Sequence, residues 1–170
     1  MIVWHLITRD IEMGYYVRTA QCNVVIPARH LERVYEILCN LNNYNELKRG
    51  GSWSGGKQTK WWFSWMDENY PETCNDAMDI FKMLGFDCEY NNQGDLCLLH
   101  YDQKTGQEDL FLKVIANYAT GMIRWVGEDG EIWDTDFDGD SVIDGECREI
   151  FDRMAIEQTK KFLGFVSTGA

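Results

Sequence analysis

Residues 134–146, DTDFDGDSVIDGE, place six carboxylates in thirteen positions. Carboxylates this dense can hold a divalent cation, share protons as a catalytic pair, or present a row of charge to a basic partner. A helix-loop-helix calcium loop takes oxygen ligands at positions 1, 3, 5, 7, 9 and 12, with glycine at 6 and a bidentate Glu at 12. Counted from Asp134, the residues Asp136, Asp138 and Gly139 fall at positions 3, 5 and 6, but position 12 is Gly145, which has no side-chain ligand. Counted from Asp136, position 12 is Cys147, and Glu146 misses by one. No helical pattern leads into the segment. A metal-binding protein or metal-dependent hydrolase built on this cluster is therefore an alternative, not the leading reading.

A strand accounts for more of the segment. In EIWDTDFD the side chains alternate: Trp133, Thr135 and Phe137 point one way, Asp134, Asp136 and Asp138 the other. Carboxylates two apart on one face lie about 6–7 Å from each other, twice the strand rise. Such a row repels itself and adds nothing to a core. It can serve as a solubilising edge that discourages sheet-to-sheet aggregation. It can also stand in for a nucleic-acid phosphate chain and occupy a basic groove. On that reading Asp134, Asp136, Asp138, Asp140 and Asp144 contact the partner, and Glu128, Asp129 and Glu131 extend the patch.

No complete catalytic set appears elsewhere, and the sequence reads as a non-enzymatic protein without cofactor or metal. GSWSGGKQT (51–59) nearly spells a phosphate loop, but Gln58 stands where the magnesium-binding hydroxyl belongs, and the expected order of strand and helix is reversed. His5, His30 and His100 are isolated from one another. Cys97 and His100, three apart, are expected on opposite faces of one strand. Lys57, Lys60, Trp61 and Trp65 combine cations with aromatic faces, which suits stacking on single-stranded bases as an alternative function.

Charge is distributed unevenly. The chain of 170 residues carries a formal net charge of −12. By region this is +3 over residues 1–65, −7 over 66–127, −10 over 128–152 and +2 over 153–170. Direct binding of the acidic regions to a nucleic-acid backbone or an anionic membrane is disfavoured, and a basic partner is the complement. The N-terminus MIVWHLITRD lacks both a basic leader and a membrane-length apolar run. The six scattered cysteines carry no CxxC, which points to reduced thiols and a cytoplasmic protein. Met13 could start a shorter chain, making residues 1–12 an extension.

The elements that must position these residues form one domain. Residues 14–26 read as a strand. After Pro27, the spacing of Leu31, Val34, Leu38 and Leu41 predicts a helix. Residues 42–60 read as a flexible glycine-rich loop or insertion, and WWFSW at 61–65 as a strand. A helix opening at Pro71 places Cys74, Met78, Phe81 and Leu84 on one face and stops at Gly85. FDCEY and DLCLLHY flank a turn at NNQG. Leu110, Phe111, Val114, Ile115 and Tyr118 mark a third helix, ending near Gly121. Asp129-Gly130 is a two-residue hairpin signal, DGDS turns the chain again into VIDGE, and residues 147–163 form a C-terminal helix. The sum is α+β: an antiparallel sheet with a C-terminal meander, packed with about four helices.

Three stretches carry a resemblance. Trp65, Asp67, Tyr70 and Glu72, then Gly106, Gln107, Glu108, Leu110 and Phe111, then Gly127, Glu128, Asp129, Gly130 and Trp133 resemble small proteins of phages and integrative elements of Gram-positive bacteria, over about half the chain. No chemistry is assigned to that group, so no catalytic residue carries over. Its members tend to have a basic or neutral strand after GEDG, where this chain has DTDFDGD. The resemblance implies a mobile-element setting, in which small acidic proteins inhibit host-defence nucleases, anti-CRISPR proteins among them. The expected function is thus inhibition of a basic, nucleic-acid-binding defence protein, a CRISPR effector or restriction enzyme, in the bacterial host cytoplasm.

Overall fold

The computed structural model describes residues 15–139. Met13, residues 1–12, Asp140, Asp144, the last strand of the expected meander and the expected C-terminal helix all lie outside the described residues. Within them the chain forms one α+β domain around a six-stranded antiparallel sheet.

The expected strand at 14–26 is two strands, β1 (Tyr16–Cys22) and β2 (Val24–Ile26). A bulge at Ala20 bends the segment, and Asn23 interrupts it. The Asn23 side-chain oxygen accepts from Met122 N–H at 2.7 Å while its own N–H donates to Met122 O at 3.1 Å. Gly121, at φ +106°, lets these strands touch, since a Cβ there would lie 2.3 Å from Asn23 O. Helix α1 (Leu31–Leu41) follows Pro27 and a single 3-10 turn, burying Val34, Ile37, Leu38 and Leu41.

The expected loop at 42–60 is mostly a hairpin, β3 (Gly50–Ser54) and β4 (Lys57–Trp62), which form their own two-stranded sheet. Gly55 and Gly56 have φ of +59° and +77°. Two consecutive positive φ values are the requirement of a two-residue hairpin turn whose twist matches its strands. The expected strand at 61–65 ends at Trp62, after which Phe63 enters the core.

The expected helix at Pro71 is split. Helix α2 (Tyr70–Thr73) holds Pro71 in its first turn, Cys74 is extended, and α3 (Ala77–Leu84) restarts at Asp76. The Asp76 carboxylate accepts from Asp79 N–H at 2.8 Å, so a fresh N-cap decides the boundary. Gly85 ends α3 in the left-handed conformation, as its position suggests.

Strands β5 (Phe86–Tyr90) and β6 (Leu96–Lys104) form the NNQG hairpin. Helix α4 (Glu108–Val114) and a 3-10 turn lead to β7 (Thr120–Gly127) and β8 (Ile132–Asp138), the edge strand among the described residues. Across the sheet the order is β5, β6, the bent β1/β2 strand, β7, β8, with every pair antiparallel.

One face of the sheet meets the helices. Val24, Leu98, Tyr101, Ile123, Trp125 and Phe137 pack there with Leu38, Ile80, Phe81 and Phe111. Phe86, Tyr101 and Trp125 run across this face as an aromatic row, with ring centroids 4.9 and 5.6 Å apart. No described element covers the other face.

Candidate interaction surfaces

Strand β8 confirms the alternation read from EIWDTDFD. Phe137 is buried, Trp133 and Thr135 are half-buried, and Asp134, Asp136 and Asp138 are exposed. Its register with β7 sets Asp134 opposite Arg124, Asp136 opposite Met122 and Asp138 opposite Thr120. The inward residues explain why the strand forms. Trp133 stacks on Trp125 at 6.3 Å between centroids, and Thr135 Oγ1 accepts from Trp125 Nε1–H at 3.1 Å. An extended strand is not the backbone of a calcium loop, and the described residues include no group of three or more His, Cys, Asp or Glu able to hold a metal ion.

The carboxylate row is not uniformly available. Asp134 accepts two hydrogen bonds from Arg124, from Nε and from a terminal nitrogen, both at 2.8 Å. That fork holds the Asp134 carboxyl below the usual carboxylate range and raises the Arg124 guanidinium further. Asp129 is spent on the turn. Its carboxylate accepts from the Tyr15 hydroxyl and from Glu131 N–H. The β7–β8 connection is a three-residue loop, not the two-residue turn expected from Asp129-Gly130. Gly127 and Glu131 bond across it, and Gly130 takes the left-handed position. Glu128 is exposed within this loop, and Asp136 and Asp138 are the exposed carboxylates of the strand not forked to Arg124.

The neighbouring strands extend the acidic face. Arg18 pairs in register with Asp102 on one side and Val126 on the other. Asp87 and Glu89 of β5 sit opposite His100 and Cys97 of β6. A bulge at Leu99 therefore turns Cys97 and His100 to the same face, against the simple alternation that separates them. Burial, with Glu89 and Asp95 nearby, raises the Cys97 thiol above its ordinary value, and His100 Nδ1 is 3.0 Å from Thr19 Oγ1. Six carboxylates (Asp87, Glu89, Asp102, Asp134, Asp136, Asp138) thus share the open face with three bases, Arg18, Lys104 and Arg124.

The second surface is the β3–β4 hairpin. Residues 48–62, KRGGSWSGGKQTKWW, carry four bases and no acid in a chain of net charge −12. The residues expected to form one stacking site are dispersed. Thr59 is the extra residue of a bulge opposite Ser52 and Trp53, so Lys57 and Lys60 fall on one face and Trp61 on the other with Gln58 and Trp53. Lys60 also pairs with Glu68 at 3.5 Å. Trp65 lies past the hairpin base at φ +68°. Its indole covers Gly106, where a Cβ would sit 2.3 Å from Trp65 Cδ1, and its Nε1–H donates to Thr105 O at 3.1 Å. The separation removes the shared cation-and-ring groove that a single strand requires.

Two glycines let side chains cross the hairpin. The Trp62 indole covers Gly50, and the Gln58 amide Gly51, each within 2.5 Å of where a Cβ would be. An aromatic ring shielding a strand glycine across the pair restores the packing that glycine lacks.

The base of the hairpin is held by a residue whose role the sequence does not announce. Gln107, only 4% exposed, accepts from Arg49 N–H at 3.0 Å and from Ser64 N–H at 3.2 Å, and donates to Leu47 O at 2.7 Å. One side-chain amide therefore fastens both legs. Beside it Glu108 is buried and accepts from Gly106 N–H at 2.7 Å. Burial pushes its carboxyl up to about 7, against the lowering effect of the backbone N–H groups and Tyr101. Trp53, 62% exposed near the tip, is a further residue the sequence reading missed. The Gly55-Gly56 turn between two polar-aromatic runs is the signal that finds both the hairpin and its exposed Trp.

No described helix is long and apolar enough to cross a membrane. Compared with family models, curated proteins and solved structures, the chain matches none.

Proposed function

We propose that this chain is a non-enzymatic interaction protein whose open acidic sheet face binds the basic groove of a nucleic-acid-binding partner. One observation carries the reading: a sheet packed by helices on one side presents, on the other, six carboxylates against three bases with no described element over them. A rigid sheet fixes such charges at about 4.8 Å between strands and 6–7 Å along a strand, so their field needs no reorganisation on binding. Asp136 and Asp138 are the strongest contacts, because Asp134 is already engaged by Arg124. Complementary charge of this kind speeds association and makes it salt-sensitive. The resemblance to phage and integrative-element proteins directs the search for a partner toward host-defence nucleases, CRISPR effectors and restriction enzymes, in a bacterial cytoplasm.

The test is capture from host lysate by the full chain and by Asp136→Asn/Asp138→Asn, with duplex DNA as competitor. Expected is a nucleic-acid-binding protein held by the wild type, released by duplex DNA, and retained at least tenfold less by the variant. Equal retention by both chains, or indifference to the DNA, would overturn the acidic face as the binding surface.

A further inference from the structure

The open face of the sheet is not uniform across its width. Its carboxylates crowd the two outer strands of the described sheet, Asp87 and Glu89 on β5 and Asp134, Asp136 and Asp138 on β8. One row in register shows the pattern: Glu89, Cys97, Val25, Thr120 and Asp138 run from margin to margin. The strands between the margins present Val25, Cys97, Met122 and Val126, each half-buried with no described element over them. Arg18 and Arg124 stand among these, each opposite a carboxylate, Asp102 and Asp134. Apolar side chains between two acidic margins fit a cover that is apolar in the middle and basic at its sides.

The sequence past β8 has that character. Read at helical spacing, residues 147–163 place Ile150, Phe151, Met154, Ala155 and Phe162 on one side. Arg148 and Lys161 border that stripe, Lys161 nearer to it than Glu157, while Glu149 and Asp152 fall opposite. Residues 153–170 carry +2, opposite in sign to the −7 and −10 of residues 66–127 and 128–152.

Reach and size agree with the fit. The N–H of Gly139, the last described residue, donates to Ala119 O at 2.7 Å, so the chain leaves from one margin of this face. The seven residues 140–146 span up to about 25 Å when extended, and the middle of the face is two strand spacings away, about 10 Å. Margin to margin the face measures about 19 Å, and a helix with its side chains is about 10–12 Å across, so basic groups at its borders meet the carboxylates on either side. A tether this short gives an effective concentration on the order of millimolar, which favours the same chain over a second copy. We propose that residues 147–163 dock on the open sheet face of their own chain, with Ile150, Phe151 and Met154 on the strip of Val25, Cys97 and Met122, and Arg148 and Lys161 toward the acidic margins. The contact stands without the partner-binding reading, but its consequence rests on that reading. A segment lying there occupies the face that a basic groove takes, so the partner must displace it and the segment sets the apparent affinity.

The test follows the full chain at high dilution. Alkylation by a neutral maleimide, read peptide by peptide by mass spectrometry, reports cover over Cys97. Expected is a rate at Cys97 about tenfold higher in Phe151→Ser/Met154→Ser than in the wild type. Cys74 and Cys88, on the helix side of the sheet, are expected to keep their rates and so show that the variant is folded. Carbodiimide coupling, which joins an amine to a carboxylate in contact with it, is expected to link Lys161 to an acid of β5 or β8 in the wild type and not in the variant. In capture from lysate the variant is expected to retain severalfold more of the nucleic-acid-binding partner. Equal Cys97 rates in two folded chains would overturn the contact and leave the partner-binding reading standing. So would a wild type in which Lys161 links to neither strand, which decides the matter even if the variant fails to fold. A protected, linked Cys97 face with equal capture by both chains would overturn the competition, and capture by neither would sink the partner-binding reading while the contact stands.

Discussion

The two hairpins of this molecule, β3–β4 and β7–β8, are built by opposite means. Strand β7 pairs on both flanks, and the hairpin buries Ile123, Trp125 and Phe137 against the helices. Its acidic residues are carried on a strand already fixed by its other face. The β3–β4 hairpin has no neighbouring strand among the described residues. It is held by cross-strand packing on two glycines and by three hydrogen bonds from one buried amide. A charged face is therefore inexpensive on β8, where the core fixes the strand, whereas the basic hairpin depends on a specific polar clamp. The first hairpin to loosen should be the one without a core.

The largest expected effect strikes the core-anchored hairpin. Phe137→Ala removes a buried ring near the end of β8 and should destabilise the whole domain by about 3 kcal/mol in denaturant unfolding. Every probe should move together, because the strand belongs to the main sheet. Gln107→Ala comes next, at about 1–2 kcal/mol, since it leaves two part-buried N–H groups and a part-buried carbonyl without their partner. Here the response should be local. Amide exchange should rise through residues 48–64 and stay unchanged in β7 and β8. Uniform exchange across both hairpins would show that the two are not independent units.

The contrast also explains what could be read beforehand. The β7–β8 hairpin was legible because period-two alternation survives intact from Ile132 to Asp138, and the core face dictates it. The α3 stop at Gly85 was legible for a similarly local reason, a residue suited to positive φ. The β3–β4 hairpin resembles a loop in sequence because glycine and lysine dominate its composition, although Gly55-Gly56 is a turn signal in its own right. Gln107 was beyond reach. Its partners are 43 to 60 residues away, and no local pattern distinguishes a clamp from an exposed polar residue before a helix. The same holds for the bulge at Leu99, which places Cys97 beside His100 on one face. The candidate site was thus legible as a strand of acids and illegible as a surface, because Asp87, Glu89 and Asp102 join it only through pairing.

Glu108 offers a smaller effect next to the clamp. Its folded pKa is raised above the unfolded value by burial, so the folded chain holds a proton that the unfolded chain releases first. The associated stability is fully present below about 4.5 and is lost as pH rises through about 7. Thermal unfolding should accordingly show a fall in midpoint between those values, beyond what the surface carboxylates produce. Glu108→Gln keeps an acceptor for Gly106 N–H and carries no charge. It should flatten that fall and stabilise the chain at pH 8 by roughly 1–2 kcal/mol. A variant that unfolds with the wild type's pH profile would mean that Glu108 stays ionised where it is buried.

The smallest effect discriminates among the acids of β8 itself. Asp134 and Asp136 are two residues apart on one strand and one face, and both are exposed. They differ in that Asp134 is forked to Arg124, whereas Asp136 faces Met122. Neither Asp134→Asn nor Asp136→Asn should move the denaturation midpoint measurably, because exposed charges contribute little to stability. Binding to a basic partner should separate them. Asp134 is shared with Arg124, whereas Asp136 is left to pair with the partner. Each change alters the net charge by one unit and so should slow association to a similar extent, but Asp136→Asn should weaken the complex more, and adding Arg124→Gln to Asp134→Asn should restore most of the rate. Were Asp134→Asn alone to leave the rate untouched, the fork would lie outside the contact. The binding surface would then be confined to the Asp136–Asp138 end of the strand.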